Sequence, residues 1–384
     1  MYNKKLVFWS ACTGMFIFGI GLITLGSVAP DLREKLYLDN LSSGALFSIL
    51  PFGILAGSLL FGPVADKYGY KFLMTGSCFL MSLGFEGVAF TSNIGILKIC
   101  ILLIGLGGGI INGSTNAMVS DISEKNKSAN LSLLGVFFGI GALGMPLFLG
   151  ILKNRLTYDS IVASTGILIL IAAIFYIFVH FPPAKQIQAS PFKGIKAFLK
   201  DKALILIAFF LFFQSSFEGI INNWTTTYLI GHLSVQQNIA LYGLSLFVAG
   251  MAFMRFVTGT VFINIPVRKI LIASFFLILS GLFTLESGSS IYPALAGLFL
   301  LGAGLAGGFP IMLGFVGELY AELSGTAFSF VLFFGLTGNM LINYMMGIIS
   351  QKYGIKHLMT VAFAESLVLI FLCILILKNL KKNK

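Results

Sequence analysis

The chain has 384 residues, of which 57% are hydrophobic and 10% are charged, and its formal net charge is +11. A water-soluble domain needs a polar exterior, so this composition excludes one. The basic residues fall between apolar runs and not on one folded face, so we expect no nucleic-acid partner.

Twelve apolar segments follow in chain order, each long enough to cross the hydrocarbon core of a bilayer, which takes about 20 residues. Backbone groups in lipid must bond within their own segment, so these segments are predicted to be helices. A barrel would show alternating segments of about 10 residues instead. The sequence therefore predicts an all-α integral membrane protein in a lipid bilayer. Its spans, numbered 1 to 12, cover residues 7–29, 43–65, 72–91, 95–119, 128–153, 160–180, 203–230, 237–262, 268–287, 291–316, 324–349 and 356–377.

The loops share the positive charge unevenly. With the N-terminus in the cytoplasm, 18 Lys and Arg residues fall on the cytoplasmic side and seven on the outer side. Cytoplasmic loops carry an excess of Lys and Arg, so both termini are predicted to be cytoplasmic. The short loops favour a bacterial inner membrane. The seven outer residues are Arg33, Lys35, Lys98, Lys153, Arg155, Lys352 and Lys356.

Cysteine and histidine patterns give no sign of a metal or redox centre. The four cysteines lie inside predicted spans, where they act as small buried hydrophobic residues. The three histidines are scattered, and no nucleophile–base pair or His-Glu cluster stands out. We therefore expect no metal, no cofactor and no enzymatic activity.

A charged loop between spans 2 and 3 covers residues 62–71 and reads GPVADKYGYK. It places Asp66 and Lys67 between Gly62 and Gly69, in a chain with few charges. Glycine permits a tight turn and a close approach of helices. The loop indicates a machine of helices that makes and releases a cytoplasmic contact. The alternative is that its charges are solvated and only fix the topology.

The longest polar stretch, residues 182–202, is rich in Lys, Pro, Gln and Ser. It is predicted to be a cytoplasmic linker between an N-terminal six-helix bundle, residues 1–181, and a C-terminal one, residues 203–384. A shift of the sequence by 197 residues superposes glycines of the two halves, as in a parallel two-half repeat. The superposed pairs are Gly62 and Gly259, Gly105 and Gly302, and Gly107 and Gly304.

The charged loop resembles the signature of the major facilitator superfamily, Gly-x-x-x-Asp-(Arg/Lys)-x-Gly-x-(Arg/Lys), which lies between helices 2 and 3. Gly62, Asp66, Lys67, Gly69 and Lys71 match it. Twelve spans, the basic linker and the repeat agree, so the resemblance covers the whole chain. It implies a secondary active transporter whose two six-helix bundles rock about a midplane site. It also implies that Gly62, Asp66, Lys67 and Gly69 form a gate, with Asp66 locking the outward-facing state.

The same resemblance implies that helices 1, 4, 7 and 10 line a central cavity, and span 7 is the most polar of them. Gln214, Glu218, Asn222 and Thr225 recur at i, i+4, i+8 and i+11 on one helical face. Polar residues at mid-membrane usually line a cavity. Amides, a carboxylate and the nearby indole of Trp224 predict a site for a polyol. The alternatives are that the amides hold helices together and that Trp224 is an interfacial belt residue.

Spans 4 and 11 carry matching asparagine pairs, each four residues apart. Asn112 and Asn116 share a face of span 4, and Asn339 and Asn343 share a face of span 11. We expect these four residues to join the substrate site. Glu365 also lies within an apolar run, on span 12, but the resemblance makes that helix peripheral, so we expect a structural role for it.

Several segments resemble the fucose and glucose/galactose permease branch of the superfamily. They are residues 105–116, 138–147, 217–224 and 306–310. The resemblance implies a monosaccharide as the small-molecule substrate. Fucose-type proton symporters carry acids in helices 1 and 4, whereas the corresponding positions here are near Gly26 and Asn112. Glu218 is therefore the candidate proton-coupling residue, or else a plain hydroxyl acceptor in a facilitator.

Other cargoes fit the sequence less well. Spans 1, 4, 7 and 10 carry no Lys or Arg at mid-membrane, which disfavours anion exchange. An efflux antiporter would carry Gly-x-x-x-Gly-Pro in helix 5, and this chain has Gly141, Gly144 and Pro146, one residue out of register. Efflux of a lipophilic or drug-like solute is the main alternative, and a non-transporting receptor is another. We expect a monomer.

Overall fold

The computed structural model is all-helical in the part of the chain that it describes, residues 2–123, 127–153, 155–183, 198–262, 265–287, 290–320 and 324–382. Within these ranges, the side chains of residues 62–67, 127–129, 132, 260, 287, 324–326 and 381–382 are outside the description. The α-helices are Lys4–Leu36, Asn40–Phe90, Ile94–Ile122, Lys127–Leu152, Tyr158–Phe178, Lys202–Leu233, Gln237–Thr260, Val267–Ser287, Ile291–Leu305, Gly308–Leu319, Ser324–Tyr353 and Leu358–Lys382.

These described helices contain twelve segments long and apolar enough to cross a membrane, and each overlaps one predicted span. The helix Asn40–Phe90 carries spans 2 and 3, and the helices Ile291–Leu305 and Gly308–Leu319 together form span 10. Span 12 begins with a short 3₁₀ turn, Ile355–His357. The prediction of an all-α protein with twelve transmembrane helices is confirmed.

Gly69 marks the bend between spans 2 and 3. Its φ of 75° and ψ of 175° are the only non-helical values inside the helix Asn40–Phe90. Residues that carry a side chain rarely adopt this positive φ, so the backbone conformation at this position favours glycine. The surroundings of Gly62 and the side chains of Asp66 and Lys67 are outside the description, so the gate predicted for them stays a prediction.

Side-chain caps fix where several spans begin. Asn93 Oδ1 accepts from the backbone nitrogens of Gly95 at 2.8 Å and Ile96 at 3.2 Å, ahead of span 4. Asp39 caps span 2 in the same way, accepting from Ser42 N at 2.8 Å. The hydrogen bonds from Ser42 hold the pKa of Asp39 below its ordinary value. Caps supply acceptors for helix N–H groups that have no intrahelical partner.

The chain divides into two compact units, Met1–Ala189 and Ser190–Lys384. This division falls within the stretch predicted to be the linker, but residues 184–197 lie outside the described residues. The linker at 182–202 and the bundle limits at 1–181 and 203–384 therefore stay predictions. Each unit contains six of the twelve spans.

Each unit contains close glycine contacts that correspond to those of the other unit under the shift of 197 residues. A Cβ on Gly105 would lie 2.5 Å from Leu50 O, and one on Gly302 would lie 1.9 Å from Phe247 O. Leu50 and Phe247 are themselves 197 residues apart. Both glycines therefore bring two helix backbones together, spans 2 and 4 in one unit and spans 8 and 10 in the other.

A second pair of glycines shows the same correspondence. A Cβ on Gly107 would lie 2.6 Å from Ser77 O, and one on Gly304 would lie 2.8 Å from Ser274 O. These contacts join spans 3 and 4 in the first unit and spans 9 and 10 in the second. The sequence repeat is confirmed at the level of helix packing for these two glycine pairs, while the contacts of Gly62, in the third pair, are outside the description.

Candidate functional site

The polar face of span 7 begins at Gln214, which is 2% exposed. Its Nε2 donates to Leu305 O in span 10 at 2.9 Å. A Cβ added to Gly308 would lie 2.7 Å from Gln214 Oε1, so only glycine leaves room for this amide. Gln214 therefore connects span 7 directly to span 10.

The helix of span 10 is interrupted where Gln214 touches it. One helix ends at Leu305 and the next begins at Gly308. Pro310 has no N–H for the carbonyl four residues earlier, and its ring crowds that carbonyl. Pro310 therefore leaves Ala306 O without its i+4 donor, and Gln214 donates to the neighbouring carbonyl, Leu305 O.

Glu218 lies one turn further along the same face, near the middle of span 7, and is half-buried. Arg255 of span 8 attracts its carboxylate electrostatically. Arg255 lies inside the helix Gln237–Thr260. A carboxylate and a guanidinium within electrostatic reach give this face a charge-bearing centre between two helices.

Asn222, one turn beyond Glu218, is 8% exposed. Its Oδ1 is buried and accepts no hydrogen bond from the described residues. Thr225 lies close to the same helical line and is 2% exposed. A buried amide oxygen that accepts no hydrogen bond costs free energy, and a hydroxyl donor from a solute would relieve that cost.

Trp224 does not lie on this face. It is fully buried in the C-terminal unit, with 0% exposure. At about 100° per residue, its side chain leaves the helix well away from the line through Gln214 and Glu218. Full burial does not fit an interfacial belt residue, so Trp224 packs inside the unit.

Asn339 and Asn343 join the opposite side of span 7. Asn223 Nδ2 donates to Asn343 Oδ1 at 3.1 Å, and Asn339 Nδ2 donates to Ser215 O at 3.0 Å. Asn343 is 0% exposed, and its Nδ2 donates to Asn339 Oδ1 at 2.9 Å. These bonds hold spans 7 and 11 together.

In the N-terminal unit, Asn112 and Asn116 form a pair of their own. Asn116 Nδ2 donates to Asn112 O at 2.8 Å and to Asn112 Oδ1 at 3.0 Å. Asn116 is exposed, and Asn112 is half-buried. Their shared helical face is as predicted, and the described hydrogen bonds leave them free of other helices.

Sequence reasoning missed three residues at or beside this site. Arg255 lies within the predicted span 8, residues 237–262, but no sequence signal indicated that it faces Glu218. Asn223 and Ser216 could have been noticed as a second polar line on span 7, about half a turn from Glu218. Their partners on spans 11 and 12 carried no signal, because the pairing joins residues more than 100 positions apart.

A family model described as Major Facilitator Superfamily matches residues 11–342. The chain belongs to the major facilitator superfamily. This confirms the resemblance at superfamily level and makes the chain a multi-pass membrane transporter. The narrower resemblance to the fucose and glucose/galactose branch stays a prediction.

Relatives within the superfamily are named for different cargoes. The glucose/mannose transporter GlcP of Bacillus subtilis is 25% identical over 347 residues, covering 86% of this chain and 85% of GlcP. The multidrug resistance protein MdtG of Rahnella sp. is 28% identical over 389 residues, covering 96% and 92%. The 4-hydroxybenzoate transporter PcaK of Pseudomonas aeruginosa is 27% identical over 165 residues, 43% of this chain and only 37% of PcaK.

A solved structure shows the same fold. The crystal structure of a D-xylose-proton symporter matches with a TM-score of 0.82, covering 97% of each chain at 12% identity. At this identity the likeness concerns the fold alone. The fold class, a twelve-helix major facilitator fold, is confirmed.

Proposed function

We propose that this transporter moves a small neutral polar solute, a monosaccharide, into the cell by alternating access. The observation that carries the proposal is the polar face of span 7. On it Asn222 Oδ1 is buried without a donor, and half-buried Glu218 makes no described hydrogen bond. Sugar hydroxyls are donors of the kind that both groups require. The similarity to GlcP over 86% of the chain supports a hexose as the first candidate.

In this proposal Glu218 and Asn222 bind hydroxyls of the sugar. Asn112 and Asn116 of span 4 are proposed as further substrate ligands. Gln214 lies at the inner edge of the face and connects it to the break in span 10. Three residues predicted as ligands are proposed to support this face of span 7 instead of binding the sugar. They are Asn339 and Asn343, whose amides bond to span 7, and Trp224, which is buried within the unit.

Glu218 is also the proposed coupling residue. A carboxyl inside a membrane helix loses much of its hydration, so proton binding and substrate binding can be linked there. Arg255 acts on Glu218 electrostatically, so we propose that the two residues work together in coupling. We further propose two rocking bundles, residues 1–181 and 203–384, a gate at Gly62, Asp66, Lys67 and Gly69, cytoplasmic termini, a bacterial inner membrane and a monomer.

The test uses purified full-length protein in liposomes, with radiolabelled glucose and mannose. We expect a proton gradient to drive accumulation by the wild type. Glu218→Gln cannot release a proton, so it should lose accumulation yet retain exchange of labelled for unlabelled sugar. Glu318→Gln, at an exposed position of span 10, is the matched control and should behave as the wild type. Unchanged accumulation by Glu218→Gln would overturn the coupling role.

Efflux of a lipophilic or drug-like solute is the second candidate, because MdtG matches 96% of the chain. The same liposomes distinguish the two. Export of a lipophilic cation without sugar exchange would overturn the sugar proposal. Exchange of 4-hydroxybenzoate alone would also overturn it, and would make Arg255 the cation that receives the carboxylate.

A further inference from the structure

Glu365 is a buried acid on span 12, outside the proposed cargo face. Its side chain is 4% exposed in the C-terminal unit. Oε1 lies within hydrogen-bonding distance of Ser216 Oγ on span 7. Oε2 is buried and has no hydrogen-bond partner among the described residues. An ionised carboxylate offers about four acceptor sites, so such a pocket leaves most of them without a donor.

Ser216 has too few protons to satisfy the acceptors around it. Its hydroxyl carries one proton but faces two acceptors, Glu365 Oε1 and Phe213 O, the latter at 3.0 Å. It can therefore donate to only one of them at a time. An ionised Glu365 thus receives at most one hydrogen bond, from Ser216, among the described residues, and its Oε2 receives none.

The described residues place no opposite charge beside Glu365. Spans 7, 9 and 11 and the 3₁₀ turn pack against span 12. Glu218 lies about 200° around span 7 from Ser216, and Tyr344 of span 11 is exposed, so neither faces the acid. No described charge acts on Glu365 electrostatically. The other ionisable groups of these elements lie towards helix ends: Lys202, Tyr228, His232, Arg268, Lys269, Glu286, Lys352, Tyr353, Lys356 and His357.

We propose that Glu365 is a second proton-binding site, held between spans 7 and 12 and separate from Glu218. A bare carboxylate in this position would be a buried charge with one donor, which is strongly unfavourable. Proton binding therefore favours the packed arrangement of spans 7 and 12, and proton release favours their separation or hydration. This site does not depend on which solute is carried, because it lies on the other side of span 7 from the cargo face.

The experiment is infrared difference spectroscopy of the purified full-length protein at neutral pH. Subtracting the spectrum of Glu365→Gln from that of the wild type should reveal a lost carboxylic-acid carbonyl band. Ser216→Ala removes the hydrogen bond to the acid, so the same band should move to higher frequency and persist. Glu34→Gln, at an exposed position, should leave the band unchanged.

An unchanged carboxylic-acid region in Glu365→Gln overturns the proposal. Should that variant fail to fold, Ser216→Ala decides, because an unmoved band means that no protonated acid bonds to Ser216. Glu218→Gln is recorded in parallel. A band lost in Glu218→Gln and kept in Glu365→Gln would disprove this site and leave the proposed role of Glu218 intact.

Discussion

Two asparagine pairs in this protein have the same local geometry and different surroundings. On span 4, Asn116 donates to the carbonyl and side chain of Asn112, and on span 11, Asn343 does the same to Asn339. Asn116 is exposed, whereas Asn343 is 0% exposed and bonded to Asn223 of span 7. Spacing along a helix fixes which residues meet, and packing between helices decides whether they bind a solute or another helix.

The largest expected effect is the loss of stability in Asn343→Ala. The substitution leaves the Asn223 amide buried without its acceptor and removes two bonds to Asn339, which costs about 1–3 kcal/mol. Thermal unfolding in detergent measures the loss. Asn116→Ala is the matched control and should unfold like the wild type, because its bonds are solvent-exposed. Equal destabilisation of the two variants would remove the distinction between the pairs.

A smaller effect is expected from Gly219→Ala. A Cβ at this position would lie 2.5 Å from Asn339 Nδ2, which donates to Ser215 O. Displacing this amide should cost about 1 kcal/mol, the contribution of one hydrogen bond. Gly314→Ala is the control, since no atom lies within 4 Å of its added Cβ. The same unfolding assay should show no loss of stability for the control. Wild-type stability of Gly219→Ala would argue against the hydrogen bond between Asn339 and Ser215.

The smallest effect concerns the exposed pair and solute binding. Asn116→Ala should weaken hexose binding about threefold, less than 1 kcal/mol, while stability stays unchanged. Isothermal titration calorimetry of the purified variant with glucose and mannose measures the change in affinity. Ser164→Ala, at an exposed position of span 6, is the control and should bind normally. Normal affinity in Asn116→Ala would remove span 4 from the proposed site.

Much of the fold could be predicted from the sequence because lipid imposes strict rules. Every span overlapped its prediction, since about 20 apolar residues are needed and few other arrangements satisfy the backbone. The 197-residue repeat found in the sequence reappears as corresponding contacts in the structure, because Gly105 and Gly302 each lie where two helix backbones touch.

The site was only partly predictable. Helical spacing placed Gln214, Glu218 and Asn222 on one face correctly, since that depends on local geometry alone. It could not show that Gln214 is bonded to Leu305, or that Asn343 is bonded to Asn223. Those contacts join residues 91 and 120 positions apart, and they depend on how the helices pack.

The glycine contacts have a mechanical consequence. Gly105 with Leu50 O, and Gly302 with Phe247 O, leave no side chain between the helices that could slide or change rotamer. Spans 2 and 4, and likewise spans 8 and 10, should therefore travel as stiff pairs during any transport cycle. Helices within a unit can then shift only where they meet through side chains. The contact between the Glu365 carboxyl and Ser216 is one such place.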